Sequence, residues 1–232
     1  MSFDDPIDLS KRIESSEGLK VQQKMDWLGT SYRAFVQNYN ELKVLLQKFN
    51  NPNVALELWT VTNRPQLDAF QQEVLRRLQN YLASAKSLVQ HARKLADEML
   101  GNTESHKQYD ALLKVGFTDS PLVQFVEDLR DYALHNQLPV TSAVLHWEKD
   151  KELDNSIMLE LGDMEKWNRW SLRAKEFMKS VGDKANLEAV VSEYSSKVIE
   201  LHGWLSKKVA EAKAVPLSEL DELQERLRNT GV

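Results

Sequence analysis

An apolar stripe running unbroken from Pro65 to Leu100 constrains this chain more than any other feature. Leu67, Phe70, Val74, Leu78, Tyr81, Leu82, Ala85, Leu88, Ala92, Leu95 and Met99 recur at three- and four-residue steps, the spacing that gathers side chains on one face of a helix. Pro65 suits a first helical turn behind Asn63 or Arg64, and Gly101-Asn102 supplies a stop. At about 1.5 Å per residue such a helix is roughly 54 Å long. It must therefore be the spine of a bundle or a dimerisation surface, or else be broken in the middle.

A second stripe, from Gly18 to Phe49, offers the long helix an antiparallel partner, with Gly29 as a candidate kink. Asn50-Asn51-Pro52-Asn53 breaks the chain between them, and a short segment follows around Leu56 to Val61. Further helices are expected over Glu104–Val115 and Pro121–His135, the latter opened by Asp119 or Ser120 and stopped by Pro139. From Val140 the apolar period drops from 3.6 to two, and Asn155 to Leu161 is again strand-like, which predicts a hairpin turning around Lys149-Asp150-Lys151. Helices resume over Asp163–Val181 and Asn186–Ala212, joined at Gly182-Asp183, and Pro216 to Arg228 ends the pattern.

With only 8 Gly and 6 Pro in 232 residues, an all-β fold would lack corners. The expected class is mainly α: an up-down helical bundle with one long helix, a small β-hairpin near 140–160 and a C-terminal helical pair. The corresponding division is 1–138 for an N-terminal bundle, 139–162 for a hairpin or irregular connection, and 163–232 for helices packing on the bundle. A single domain over 1–232 is the alternative.

The absence of cysteine excludes disulfides, thiolate zinc sites and a thiol nucleophile. No segment approaches the ~20 apolar residues needed to span a bilayer, and the N-terminus lacks a basic run followed by an apolar one. A cytoplasmic protein with no membrane partner is expected. The net charge of −5 argues against a broad electrostatic hold on nucleic acid while leaving room for a local basic cleft. Basic side chains outnumber acidic ones over residues 166–214, a bias usual on a solvated helix face. Trp167, Trp170 and Trp204 lie among these cations, but helical spacing favours core roles for them. Phosphate loops, His-Glu-x-x-His pairs, nucleophile elbows and EF-hand loops are absent, so no metal and no cofactor are expected. His91, His106, His146 and His202 have no neighbours at ligand spacing and read as surface or core-edge imidazoles.

His135 differs because of the residues before it. The segment Phe125-Val126-Glu127-Asp128-Leu129-Arg130-Asp131-Tyr132-Ala133-Leu134-His135-Asn136-Gln137-Leu138-Pro139-Val140 resembles the HEPN superfamily of helical-bundle proteins. Their signature is an Arg, usually followed by a polar residue, and a His after four to six positions. Asp131 is the polar residue here. The resemblance implies a homodimer in which Arg130 and His135 meet their counterparts in a cleft, and metal-independent cleavage of RNA. It also implies a toxin, defence or stress setting, with a protein partner or antitoxin.

The residue types suit that chemistry. Cleavage of an RNA phosphodiester needs a base for the 2′-OH proton, a cation against the phosphorane charge and an acid for the leaving oxygen. Histidine is the natural acid and base near neutrality, and the arginine fork suits phosphate. One histidine cannot easily serve as both in one pass, so a symmetric dimer would help. On an ideal helix Arg130 and His135 diverge by roughly 140°, a separation that helix termination near Pro139 would relax. Asp131, one turn before His135, is placed to hold its ring. In the rival reading Arg130 pairs with Asp128 or Asp131, and His135 caps the helix. The protein is then a non-catalytic scaffold or regulatory partner-binding module that uses its long helix as an interface.

Overall fold

The computed structural model describes residues 5–146 and 154–230, and its architecture is mainly α. In chain order it comprises α1 (Pro6–Ser15), α2 (Glu17–Asn50), α3 (Pro52–Leu58), α4 (Arg64–Leu100), α5 (Glu104–Leu113), α6 (Pro121–His135), β1 (Thr141–His146), β2 (Asp154–Glu160), α7 (Leu161–Met164), α8 (Leu172–Val181), β3 (Lys184–Asn186), α9 (Leu187–Ala212) and α10 (Ala214–Asn229). Side-chain oxygens of Asp5, Ser16, Asn51, Thr103, Ser120, Ser171 and Asn186 cap seven of these helices by accepting first-turn amides. No helix among the described residues is long and apolar enough to cross a membrane.

The spine is α4, which continues through all 37 of its residues. It runs antiparallel to α2, as the ladder of cross-contacts Lys24–Glu98, Ser31–His91 and Glu41–Arg77 shows. Phe35, Leu42 and Leu46 from α2 meet Val74, Leu78 and Tyr81 from α4, all at 0–1% exposure. Each such side chain contributes roughly 1.5–3 kcal/mol by leaving water. The remainder of the α4 stripe is covered by α9 and α6. The Tyr81 hydroxyl donates to the Val191 carbonyl at 3.1 Å and lies 2.9 Å from Ser195 Oγ, which pins α9 to the spine. The long stripe is thus buried within one chain and leaves no dimerisation surface on that face. Gly29 does not interrupt α2.

The two-residue period after Val140 gives the expected antiparallel pair, with Thr141 opposite Leu159 and Ala143 opposite Ile157. The turn expected around Lys149-Asp150-Lys151 lies outside the described residues. Asn155, Ile157 and Leu159 alternate inward on β2, and Asn155 Nδ2 donates to the Asn50 carbonyl at the end of α2. A third strand, β3, pairs with β2 through Leu159 opposite Ala185. At three residues it is too short to show a period in the sequence.

The single helix expected over Asp163–Val181 is instead two, α7 and α8. Trp167 and Trp170 pack edge to face, 5.1 Å apart, and Trp170 Nε1 donates to the Met164 carbonyl at 2.7 Å. Packing the two indoles together there requires an irregular link, after which Ser171 starts a new helix. The short α1, which the sequence pattern does not announce, buries only Leu9.

The terminal helices close over the beginning of α2, where α10 crosses at Gly18. A Cβ at Gly18 would lie 2.2 Å from the Pro216 carbonyl oxygen and 2.6 Å from Leu220 Cβ, so no other residue fits without moving α10. Gly203 in α9 has nothing within 4 Å of such an atom. Gly18→Ala should therefore lower stability by about 1–3 kcal/mol through overpacking, whereas Gly203→Ala should raise it by about 0.5–1 kcal/mol. Urea unfolding of the two variants checks the opposite signs.

Candidate functional site

The site residues are carried by the second half of α6. Ser120 caps its start, and Leu122, Val123, Phe125, Val126, Leu129 and Tyr132 face the core. Tyr132 fixes the rotation of the helix: its ring lies 5.5 Å from Trp167 edge to face and 5.6 Å from Trp170 in a stack. Its hydroxyl accepts from Gln137 Nε2 at 2.7 Å, which ties down the chain beyond the helix. Asp128 is used structurally, because its carboxylate accepts the Ser171 amide at 2.7 Å at the start of α8.

With Tyr132 pointing inward, helical geometry sends Arg130 and His135 to opposite borders of the exposed face, roughly 140° apart. Leu134 and Asp131 occupy the arc between them. The helix includes His135 as its last residue, and the backbone leaves helical geometry at Asn136 (φ −124°, ψ −80°). The break thus comes too late to swing Arg130 and His135 together within one protomer. Arg130 Nη1 donates to Asp131 Oδ1 at 2.7 Å, the side chains being 29% and 48% exposed. Asp131 is consequently engaged with Arg130 rather than with the His135 ring, which is exposed to solvent.

Arg130, Ala133 and Leu134 form one wall of an open groove of about 420 Å³, and α4 supplies the other with Gln79, Asn80, Lys86, Ser87 and Gln90. His135 lies outside this groove. A second groove of about 300 Å³, between α2 and α4, holds the exposed Trp27 with Lys24, His91, Lys94 and Glu98. Ser31 Oγ lies 2.6 Å from His91 Nδ1 but also donates to the Trp27 carbonyl at 3.2 Å. With the serine proton on that carbonyl, His91 is the donor to Oγ. Together with the helical amides around Ser31, which leave no free donors for an oxyanion, this marks the pair as a tether between helices.

The remaining described histidines are also placed. His106 bridges Asp97, at 3.0 Å from Nε2, and Asp110, at 3.4 Å from Nδ1, and so joins the end of α4 to α5. His202 stacks on Tyr32 with centroids 3.9 Å apart and planes 13° apart, while its Nε2 is buried without a hydrogen-bond partner. Burial lowers its pKa. Sequence spacing carried no sign of this, because the stacking partner lies on another helix far along the chain. The side chain of His146 lies outside the described residues. Among the described residues no three His, Asp or Glu side chains converge as metal ligands.

No family model, curated protein or solved structure matches the chain. The geometry of α6 and its groove is therefore the ground for a function.

The buried neutral state of His202 links stability to pH. Its folded pKa lies below the unfolded value of about 6.5, so the unfolded chain binds the proton more readily. The contribution is complete above the unfolded value and is lost as pH falls through it toward the folded one. His202→Phe keeps a ring against Tyr32 and removes the titration. The stability of wild type relative to this variant should decline as pH is lowered below about 6.5; urea midpoints across that range measure it.

Proposed function

We propose that the chain is a HEPN-like, metal-independent endoribonuclease that works as a homodimer, with Arg130, Asp131 and His135 contributing to a site completed by a second copy. The observation that carries this reading is the placement of Arg130 and His135 on the two borders of one exposed helical face, with Leu134, 58% exposed, between them. A two-fold contact laid over that face would set Arg130 of one protomer against His135 of the partner subunit. The separation that disables one protomer is the one a symmetric pair needs.

In such a site one imidazole removes the 2′-OH proton, the 2′ oxygen attacks phosphorus, and the bond to the 5′ oxygen breaks. The second imidazole, entering protonated, gives its proton to that leaving oxygen. The Arg130 guanidinium balances the phosphorane charge and Asp131 orients the guanidinium. An activity of this kind suits a toxin, defence or stress role, in which a protein partner or antitoxin would mask the same face.

A second reading has its own support: Leu134, Leu138 and Val140 are all at least 43% exposed within a few residues of one another. In that case this edge is a non-catalytic docking surface for a protein.

The two readings separate by paired measurements. Arg130→Ala and His135→Ala should each lower cleavage of a mixed RNA pool by roughly a hundredfold or more, in EDTA, with little change in melting temperature. Leu134→Glu should convert a sedimenting dimer to monomer and abolish cleavage with it. The docking reading expects no cleavage at all and stability losses of only about 0.5–1 kcal/mol for the first two substitutions. Cleavage by a strict monomer, or cleavage indifferent to both alanine substitutions, overturns the proposed site.

A further inference from the structure

The groove between α4 and α6 differs in its charged lining from two other grooves on α2 and α4. Among the described residues its lining contains two cations, Lys86 and Arg130, and no carboxylate. The groove between α2 and α4 contains Glu98, and a shallower one beside Arg77 contains Glu41. The formal charge of the whole chain is −5, so a groove whose charged lining residues are both cations runs against the average. Lys86 forms no ion pair with any described residue. Arg130 contacts Asp131 through Nη1 alone, which leaves its other N–H donors for an anion in the groove.

The uncharged lining is equally particular. Gln79, Asn80, Ser87 and Gln90 all belong to α4, and the span from Gln79 to Gln90 covers roughly 16 Å of helix. That is long enough to follow more than one phosphate. Carboxamides carry a donor and an acceptor side by side, the arrangement that pairs with exposed base edges. A folded duplex presents those edges poorly to a helix-lined groove, whereas an unpaired strand presents them freely. Among the described residues no aromatic side chain lines the groove, so the lining favours hydrogen bonding over base stacking.

We infer that the α4–α6 groove binds a single-stranded RNA segment, with Lys86 and Arg130 holding backbone phosphates and the carboxamides of Gln79, Asn80 and Gln90 facing the bases. This rests on the ribonuclease reading and extends it, since it assigns the substrate path to α4 and makes Lys86 a positioning residue. Lys86 holds the strand while His135, outside the groove, transfers protons.

Fluorescence anisotropy of a short labelled single-stranded RNA, with its 2′ hydroxyls methylated to prevent cleavage, tests the inference in the full-length protein. Wild type should bind this strand more tightly than the same sequence as a duplex. Lys86→Ala should weaken binding by about tenfold and make the slope of log affinity against log salt shallower by about 0.7, one phosphate contact. Lys94→Ala, at an exposed lysine in the other groove, should change neither quantity, and His135→Ala should bind like wild type. Absence of binding by wild type overturns the inference, as does equal binding by Lys86→Ala or an equal effect from Lys94→Ala. Cleavage that persists while Lys86→Ala binds normally removes the groove assignment and leaves the ribonuclease reading intact. Lys86-dependent binding without His135-dependent cleavage supports the groove and removes the catalytic reading.

Discussion

The antiparallel contact between α2 and α4 is the constraint on which the rest of the molecule depends. Each helix depends on the other for its stability, since helices in proteins draw most of their stability from the packing of an apolar face. Together they bury a continuous seam from Leu28 to Leu95. Everything else is laid on that seam: α9 through the Tyr81 hydroxyl, β2 through Asn155 at the end of α2, and α6 along the outer side of α4. The start of α9 is held in the same way, because Glu188 accepts from Gln47 and Asn50 in the last turn of α2.

That arrangement determines where chemistry can occur. On α6 the inward residues are committed to an aromatic cluster of Phe125, Tyr132, Trp167, Trp170 and Phe177. The outward residues inherit their directions from this commitment. Arg130 faces the groove beside α4 because Tyr132 is locked between two indoles, and His135 faces away for the same reason.

The sequence is most legible where periodicity is long. The bounds of α2, α4 and α6 follow from stripes of more than ten residues bracketed by Asn, Pro, Gly or Ser. It is least legible where a fold depends on contacts between distant residues. Neither β3 nor the break between α7 and α8 has a local pattern, because Ala185 is placed by Leu159, and Trp167 by Tyr132. The candidate site divides along the same line. Arg130, Asp131 and His135 were readable as a motif on a helix. The facing wall of Lys86 and its neighbouring carboxamides was not, since on a one-dimensional reading these are simply the polar side of α4.

The clasp at the beginning of α2 bears on how the protein is made. Leu9 and the Gly18 face of α2 are covered chiefly by α10, and Glu17 is paired with Lys213 at 3.0 Å. On a ribosome α10 is synthesised about two hundred residues after α1, a delay on the order of 10–40 s. For that interval the nascent chain carries a bare apolar face and a glycine notch on α2. A face made early is thus among the last to be sealed, and its survival in the meantime falls to whatever shields nascent chains.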